Sequence, residues 1–600
     1  MRFGLAFLAL ACLVSCAQAI QSDGGETPPV KTEAEVAPDR APNFLIVVAD
    51  DLGWSDVGAF GGEIRTPVLD RLAASGVRMT NFYVAPTCSP TRAMLMTGVG
   101  HHQAGVGTMT GIGAPNQTTR NYAAQLHEDV VTLAEVLNAS GYQTLMSGKW
   151  HLAVDEDQRP EKRGFDRSFA LLPGGASHFA DQLPLGPGEP PEYIEDGEPA
   201  ELPEDFYSSI SYTDKMLQFL DEREGDQPFL AYLAYTAPHD PLQVPEDWLD
   251  RYDGEYDAGP SEIRQARLQR QVDLGLMPGN TQLWEIPNFP PWLPLHMTPW
   301  DTRSADQKDH DVRPMEIYAA MVELMDQQLG RVIERLEAEG ELDNTYFVFF
   351  SDNGASAIAP LMYPGSSEAW LNETWDRNME NAGRRQNFTV QGREWASASN
   401  APLRLAKGSV GEGGIRSPFI VAGPSVPEGQ VSRALAHVMD IAPTIYELAG
   451  IDPASDSVFQ DKLVMQGTSL LPAWRLESDA VREGFMTELF NARAGRDGKW
   501  KIANLPRPLG TGEWELYDLS SDPGETVNLA AEHPEVLARM VAQYETFAVE
   551  NGVIPPFPPP RQTPRRMYPF VCDEACEAAF DRFMQMQPRP GEGPPPNAEQ

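Results

Sequence analysis

Cysteine, basic side chains and long hydrophobic runs are all scarce in this sequence. Only 5 of its 600 residues are cysteines, which excludes a small scaffold held together by disulfides. Lys and Arg total 46 against 87 Asp and Glu, so the formal net charge is −41, and a surface of this sign repels nucleic acid and anionic lipid. We therefore expect no nucleic-acid partner. The acidity is typical of a well-solvated surface, with a polycationic partner as the alternative.

The apolar run at the N-terminus, residues 3–14, follows a single basic residue and is too short to cross a membrane. We predict an export signal over residues 1–19. Residues 13–16 are typical of a bacterial lipoprotein, in which Cys16 would carry the lipid, whereas residues 17–19 are typical of ordinary signal-peptidase cleavage. The lipoprotein pattern is favoured, with residues 20–42 as a flexible tether. The prediction is an exported bacterial protein that is either periplasmic or attached to the membrane by a lipid anchor alone.

From residue 43 onward, short apolar runs rich in β-branched and aromatic residues alternate with segments of helical period. This alternation predicts an α/β fold with a large, mostly parallel central sheet sandwiched by helices. It also predicts a catalytic domain over residues 43–477. The predicted elements are strands at 44–49, 229–235, 346–350 and 418–422, and a helix at 315–336.

Residues 246–311 interrupt the alternation and are interpreted as an insertion. Four aromatic residues lie there among prolines, which do not fit a regular strand. Packing of a proline-rich loop onto the domain is the favoured role for them, and lining of a pocket for an apolar substrate is the alternative. They are Trp284, Phe289, Trp292 and Trp300.

After residue 477 the pattern changes to short strands, at 500–503 and 514–519, followed by a helix at 534–549. We predict a smaller C-terminal α+β subdomain over residues 478–553 and a proline-rich tail over 554–600. Cys572 and Cys576 in that tail are spaced either for a disulfide or for two thiols on one helical face, and the spacing leaves both open.

Oxygen-bearing side chains follow two of the predicted strands directly. Asp50 and Asp51 come after the first strand, and Asp352 and Asn353 come one residue after the third. Parallel strands place their carboxyl ends at the same edge of a sheet, where α/β proteins bind ligands. Four oxygen donors without sulfur or imidazole suit a hard cation such as calcium or magnesium. The sequence therefore predicts a metal site there.

Cys88 precedes Pro90 and a helical pattern that ends at Gly98. Because proline is favoured in the first turn of a helix and glycine after the last, Cys88 is expected near a helix N-terminus, which attracts anions. Taken alone, a single cysteine is most often a buried apolar side chain, or else a thiol nucleophile activated by the helix dipole and Arg92.

Cys88, Pro90 and Arg92 form the pattern CxPxR, and residues 141–151 read GYQTLMSGKWH. These two signatures resemble those of the sulfatase family, the formylglycine-dependent members of the alkaline-phosphatase-like superfamily. The resemblance extends over residues 43–551 and is strongest to bacterial arylsulfatases. Further similar segments are GHHQAGVGTM (100–109), APHDPLQ (237–243), SDNGA (351–355) and APLRLAKGSVGEGGIRSP (401–418).

This resemblance implies hydrolysis of sulfate monoesters and a small sulfated substrate. It also implies that a formylglycine-generating enzyme oxidises Cys88 to formylglycine during maturation. The implied metal ligands are Asp50, Asp51, Asp352 and Asn353, with calcium as the expected ion and magnesium as the second choice. The residues implied around the sulfate and the nucleophile are Cys88, Arg92, Lys149, His151, His239 and Lys407.

In the mechanism that the resemblance implies, a hydroxyl of hydrated formylglycine at position 88 attacks sulfur, and Asp352 assists its deprotonation. His239, helped by Lys407, protonates the departing alcohol. His151 then deprotonates the second hydroxyl, so that the aldehyde re-forms and sulfate leaves.

Thr91 and Val99 depart from the commonest family pattern without removing a reacting group, and Thr91 leaves open how well the modifying enzyme accepts this site. His101 and His102 could line the pocket or serve as loop and capping residues. Two other functions remain as alternatives: hydrolysis of phosphonate monoesters or phosphodiesters, and capture of sulfated glycans by a non-catalytic lipoprotein with an unmodified Cys88.

Overall fold

The computed structural model describes residues 40–223, 225–287, 298–507 and 509–556. The predicted signal, most of the tether and nearly all of the tail lie outside these residues, together with Cys16, Phe289, Trp292, Cys572 and Cys576. Within the described residues, no helix combines the length and the apolar character that crossing a membrane requires.

A ten-stranded sheet lies at the centre of the molecule, with strand order β10-β2-β9-β8-β1-β7-β3-β4-β5-β6. Five neighbouring strands, from β8 to β4, run parallel, and β9 is antiparallel to both β8 and β2. The predicted mostly parallel sheet is confirmed. Its strands are β1 (Asn43–Ala49), β2 (Val77–Tyr83), β3 (Gln143–Lys149), β4 (Arg167–Leu171), β5 (Tyr193–Glu195), β6 (Glu198–Pro199), β7 (Phe229–Ala234), β8 (Thr345–Ser351), β9 (Arg416–Ala422) and β10 (Gln430–His437).

Both faces of the sheet are covered by helices. Along β1, Leu45 and Val47 enter one apolar core and Ile46 and Val48 enter the other, which is why the strand has no polar side of its own. The helices are α1 (Pro67–Ala74), α2 (Cys88–Thr97), α3 (Leu133–Ala139), α4 (Ser208–Asp221), α5 (Pro260–Asp273), α6 (Ala305–Ala338), α7 (Glu368–Thr374), α8 (Arg393–Ser399), α9 (Glu412–Ile415), α10 (Ile441–Ala449), α11 (Leu471–Trp474) and α12 (Pro534–Glu550).

The helix predicted at 315–336 is α6, which begins ten residues earlier than expected. Ser304 accepts a hydrogen bond from the backbone of Gln307, whose side chain accepts one from the backbone of Ser304, and this capping box fixes the true start. The predicted stripe, which includes Ile317, Met321 and Leu329, is fully buried. Much of the opposite face is buried as well, so α6 is a core helix and not an amphipathic surface helix.

The C-terminal region contains a second, antiparallel sheet of order β11-β12-β13-β14, with α12 packed on it. Its strands are β11 (Gly484–Leu489), β12 (Ala492–Asp497), β13 (Trp500–Asn504) and β14 (Trp514–Asp518). The last two strands and the helix match the predicted elements. The predicted domain boundaries stay predictions.

The interrupting region, residues 246–311, contains α5 and two of the aromatic residues singled out in the sequence. Trp300 packs edge-to-face on Trp395, with ring centroids 6.2 Å apart, and Trp284 packs against a small apolar cluster around Leu405 and Val410. Both contacts agree with the packing interpretation of these aromatics.

Candidate active site

The residues predicted to carry chemistry meet at one edge of the ten-stranded sheet. Strands β1, β2, β3, β7 and β8 all point their carboxyl ends to this edge. Because β9 is antiparallel to its neighbours, the loop that precedes it reaches the same edge. These six connections supply Asp50 and Asp51 (after β1), Cys88 and Arg92 (after β2), Lys149 and His151 (end of β3), His239 (after β7), Asp352 and Asn353 (after β8), and Lys407 (before β9).

The pairing of β1 with β8 brings the four predicted metal ligands together. Ala49 lies opposite Ser351, and the backbone N–H of Asp352 donates to the carbonyl of Ala49 at 3.1 Å. Asn353 Nδ2 donates to Asp51 Oδ1 at 2.6 Å. Asp51 has a φ of +66°, an uncommon backbone conformation for a residue other than glycine and one typical of functional turns.

Three cations are buried against these carboxylates. Arg92 Nε and Nη2 donate to Asp352 Oδ2 at 2.9 and 2.7 Å, and Arg92 Nη1 donates to the backbone oxygen of Lys149 at 2.8 Å. Lys149 Nζ donates to Asp50 Oδ2 at 2.6 Å, and Lys407 Nζ lies 2.7 Å from Asp51 Oδ1. Each of these side chains is almost wholly inaccessible to solvent.

The pKa values of Asp50 and Asp352 are shifted in opposite directions. Burial opposes ionisation of Asp50, but Lys149, His239 and Arg92 outweigh it and hold its pKa well below the usual range. For Asp352, burial and the neighbouring Asp50 carboxylate raise the pKa to about 6, against the opposing effect of Arg92. Asp352 is therefore the stronger base of the two.

The pKa values of His239 and His151 are shifted in opposite directions. For His239, burial and Lys407 lower the pKa, but Asp51, Asp50 and Asp240 outweigh them and raise it to about 9. For His151, burial, Lys149 and Arg92 hold the pKa well below its ordinary value. In the metal-free site at neutral pH, His239 is therefore protonated and His151 is neutral.

Cys88 is the first residue of α2 and is buried as a free thiol. Its Sγ belongs to a group of atoms that all lie within 4.8 Å of one another, the others coming from Asp50, Asp51 and His239. The predicted nucleophile is therefore at the carboxylate cluster.

A divalent cation fits this cluster. Asp50 Oδ1 and Asn353 Oδ1 are buried and have no hydrogen-bond partner in the described part of the chain, so two oxygens of a hard-cation donor set are free to coordinate. Asp352 does not belong to the close group formed by Asp50, Asp51, Cys88 and His239. Its Oδ2 accepts hydrogen bonds from Arg92, and its Oδ1 accepts one from the N–H of Asp51 at 3.4 Å.

Some residues at the site were not singled out in the sequence. Asp240 Oδ1 lies 3.3 Å from His239 Nδ1 and accepts a hydrogen bond from the Tyr363 hydroxyl at 2.9 Å. The imidazole of His178 contacts the backbone oxygen of His239 at 2.9 Å. Asp240 could have been found as the polar neighbour of His239, but Tyr363 and His178 come from distant loops with no local signal.

The remaining sequence candidates are buried and make contacts within the fold. His101 contacts the backbone oxygen of Val106 at 3.0 Å, and His102 contacts Glu488 Oε2 of β11 at 3.0 Å. Thr91 Oγ1 accepts a hydrogen bond from the backbone N–H of Ala85 at 2.9 Å, which orders the turn before Cys88. Val99 is buried in the core.

The mixed ten-stranded α/β sheet thus carries a cation-lined group that could hold a metal at its carboxyl edge, where open α/β sheets bind their ligands. The family model described as Sulfatase matches residues 42–451, and the chain belongs to the sulfatase family. It is 42% identical over 542 residues to an uncharacterized sulfatase of Schizosaccharomyces pombe, covering 86% of this chain and 95% of the relative. It is 39% identical over 445 residues to an arylsulfatase of Klebsiella aerogenes, covering 73% and 93%.

Solved structures agree on the fold. The structure of Ps i-CgsB in complex with k-i-k-neocarrahexaose has a TM-score of 0.61 at 23% identity, covering 91% of this chain and 98% of that one. The structure of BT4656 in complex with D-glucosamine-2-N,6-O-disulfate has a TM-score of 0.56 at 21% identity, covering 86% and 99%. The family match and the arylsulfatase relative identify this chain as a sulfuric ester hydrolase, an enzyme that cleaves sulfate esters.

The charge environment of His239 leads to a first prediction. In chelator-treated protein, we expect the imidazole to titrate at about 9 in a histidine ring NMR experiment. Asp51→Asn removes one of the carboxylates that stabilise the imidazolium, so the pKa of His239 should fall. A wild-type titration at or below the ordinary 6.5 would contradict the assignment.

Proposed function

We propose that this chain hydrolyses sulfate monoesters of aryl alcohols with a formylglycine nucleophile made from Cys88. The observation that carries the proposal is the position of Cys88, buried at a helix N-terminus and within 4.8 Å of ligand atoms from Asp50, Asp51 and His239. The arylsulfatase relative supports the aryl leaving group. Hydrolysis of phosphonate monoesters or phosphodiesters is the alternative, and catalytic efficiencies on matched sulfate and phosphonate esters distinguish the two.

Asp50, Asp51, Asp352 and Asn353 would hold the metal, and we propose calcium. The ion would supply positive charge for the anionic oxygens of the ester. The chain contributes Arg92, Lys149 and Lys407 to the same purpose, because a sulfate monoester must enter a protein whose net charge is −41.

In the first half of the proposed reaction, a hydroxyl of the hydrated aldehyde at position 88 attacks sulfur and gives its proton to Asp352. The raised pKa of Asp352 suits this task. The bond between sulfur and the leaving oxygen breaks, and that oxygen receives a proton from His239. Lys407, which is buried beside Asp51, stabilises the negative charge that develops on the leaving oxygen.

In the second half, the remaining hydroxyl on residue 88 gives its proton to His151. The aldehyde C=O re-forms, the carbon–oxygen bond to the sulfate group breaks, and inorganic sulfate departs. His151 suits this step because burial and its cationic neighbours keep its imidazole neutral. A thiol or a serine hydroxyl offers no second hydroxyl, which explains why the cysteine would need to be modified.

The proposal extends to the partners and the location of the protein. A formylglycine-generating enzyme would act on Cys88 before folding is complete, since the residue is buried in the folded chain. The N-terminal segment would direct export to the periplasm, either as a soluble protein or as a lipoprotein anchored through Cys16.

The modification itself is tested by mass. Conversion of cysteine to formylglycine replaces CH2SH by CHO, so the peptide that contains residue 88 should be lighter by about 18 Da. The activity of a preparation should rise in proportion to the fraction of chains that carry formylglycine at position 88. Cys88→Ser, purified from a host that modifies only cysteine, should lose turnover and keep its fold. Full activity with an unmodified thiol would contradict the mechanism.

The role of His151 is tested by trapping. His151→Ala should leave the first half of the reaction intact and slow the second, so that the sulfate group stays on residue 88. After addition of nitrophenyl sulfate, the mass of that peptide should then rise by about 98 Da over the aldehyde form, which is about 80 Da over its hydrate. A burst of nitrophenol should accompany the rise. As a comparison, His239→Ala should slow the first half instead, and with phenyl sulfate, whose poorer leaving group needs the proton more, it should give neither burst nor adduct. Steady turnover by His151→Ala, with no sulfate adduct on the formylglycine peptide, would refute the role of His151.

A further inference from the structure

Residues 403–415, which we name the Lys407 loop, contact both neighbouring catalytic segments. The backbone N–H of Lys407 donates to Ala355 at 3.1 Å, just after Asp352 and Asn353. The N–H of Gly408 donates to Pro86 at 2.7 Å, two residues before Cys88. The position of this loop therefore fixes the position of the Lys407 ammonium relative to the nucleophile.

Glu412 connects the Lys407 loop to the second sheet through buried charges. Lys501 Nζ, on β13, donates to Glu412 Oε1 at 2.8 Å, and the Tyr83 hydroxyl donates to Glu412 Oε2 at 2.7 Å. The backbone N–H of Glu412 donates to Glu525 Oε2 at 2.7 Å, and Lys501 Nζ lies 2.9 Å from Glu525 Oε1. The side chains of Lys501, Glu412 and Glu525 are at most 2% exposed.

A second buried ion pair joins the other end of the loop to the same sheet. Arg404 Nη1 donates to Glu515 Oε2 at 2.8 Å and to the Tyr517 hydroxyl at 2.6 Å, and both partners lie on β14. The Lys407 loop is thus attached to the second sheet on both sides of Lys407.

These ion pairs fix the relative position of the segments that they join more than they stabilise the fold. Buried ion pairs are often no more stabilising than apolar side chains of the same volume, because desolvation offsets their attraction. They do impose a direction and a distance on the segments that they join. A displacement of about 1 Å at a catalytic group can cost about a hundredfold in rate.

We propose that Lys501 and Glu525 are positioning residues, which hold the Lys407 loop through Glu412 so that Lys407 reaches the leaving oxygen. The second sheet then contributes to catalysis by holding the Lys407 loop in place. This inference rests on the proposed role of Lys407.

The test compares Lys501→Met with wild type after maturation, using phenyl sulfate and nitrophenyl sulfate. Phenol is the poorer leaving group and depends more on Lys407, so kcat/KM should fall about tenfold more on phenyl sulfate than on nitrophenyl sulfate. A general loss of active protein would lower both values equally. Amide hydrogen exchange in residues 403–415 should rise, and Lys501→Arg should recover most of the loss.

Lys499→Met is the matched control, because Lys499 lies two residues away, is half exposed and pairs with Asp518, outside the Lys407 loop. Lys499→Met should change neither the kcat/KM ratio of the two esters nor the amide hydrogen exchange of residues 403–415. If Lys501→Met does not fold, Glu525→Gln tests the same attachment with the same two measurements, because it removes the charge beside Lys501 and keeps the shape. In a Lys407→Ala background, Lys501→Met should cost little further activity, since its effect passes through Lys407.

Failure of the inference and failure of the proposed function give different results. An inactive wild type with a fully modified residue 88 would refute the proposed function, and hydrogen exchange would still show whether Lys501 holds the loop. An active wild type, with loop exchange and leaving-group dependence unchanged in the folded variant, would overturn the inference.

Discussion

The structure depends on a set of buried charges of both signs at one edge of a sheet. The carboxylates of Asp50, Asp51 and Asp352 face the permanent cations Arg92, Lys149 and Lys407, so the formal charges of these six groups balance. Such a balance can be buried at tolerable cost, because each charge has a partner of opposite sign. A divalent cation added to it leaves the site positive, and a positive site can draw an anionic ester into an acidic protein. In the proposed mechanism, binding of the metal and binding of the substrate would thereby be coupled.

The fold holds this arrangement rigid. Four adjacent parallel strands, β8, β1, β7 and β3, place their carboxyl ends side by side. Strand β3 ends in Lys149, and the segments that follow the other three strands carry Asp352, Asp50 and His239. Both faces of these strands are buried, so the strand ends cannot shift independently. Helix α2 adds Cys88 at its N-terminus, where the helix dipole favours a negative charge. The Lys407 loop precedes the antiparallel strand β9 and does not follow a strand of the parallel group. Buried ion pairs join it to the second sheet.

Much of this could be predicted from the sequence, because the central strands are buried on both faces and therefore read as continuous apolar runs. The strands β1, β7, β8 and β9 and the residues that follow or precede them were visible for that reason. Strands β11 and β12 were missed because polar, charged and glycine residues interrupt them, as in Arg493, Gly495 and Arg496. The contacts of Tyr363 with Asp240 and of Lys501 with Glu412 join residues far apart in the chain. No local pattern encodes such pairs, and only the folded chain brings them together.

The coupling of cation and anion is the central claim, and calorimetric titration of inorganic sulfate tests it most directly. If the cation supplies the positive charge of the site, sulfate should bind at least about tenfold more tightly with calcium than in chelator, and calcium should bind more tightly with sulfate by the same factor. Equal affinities for sulfate with and without calcium would contradict the account.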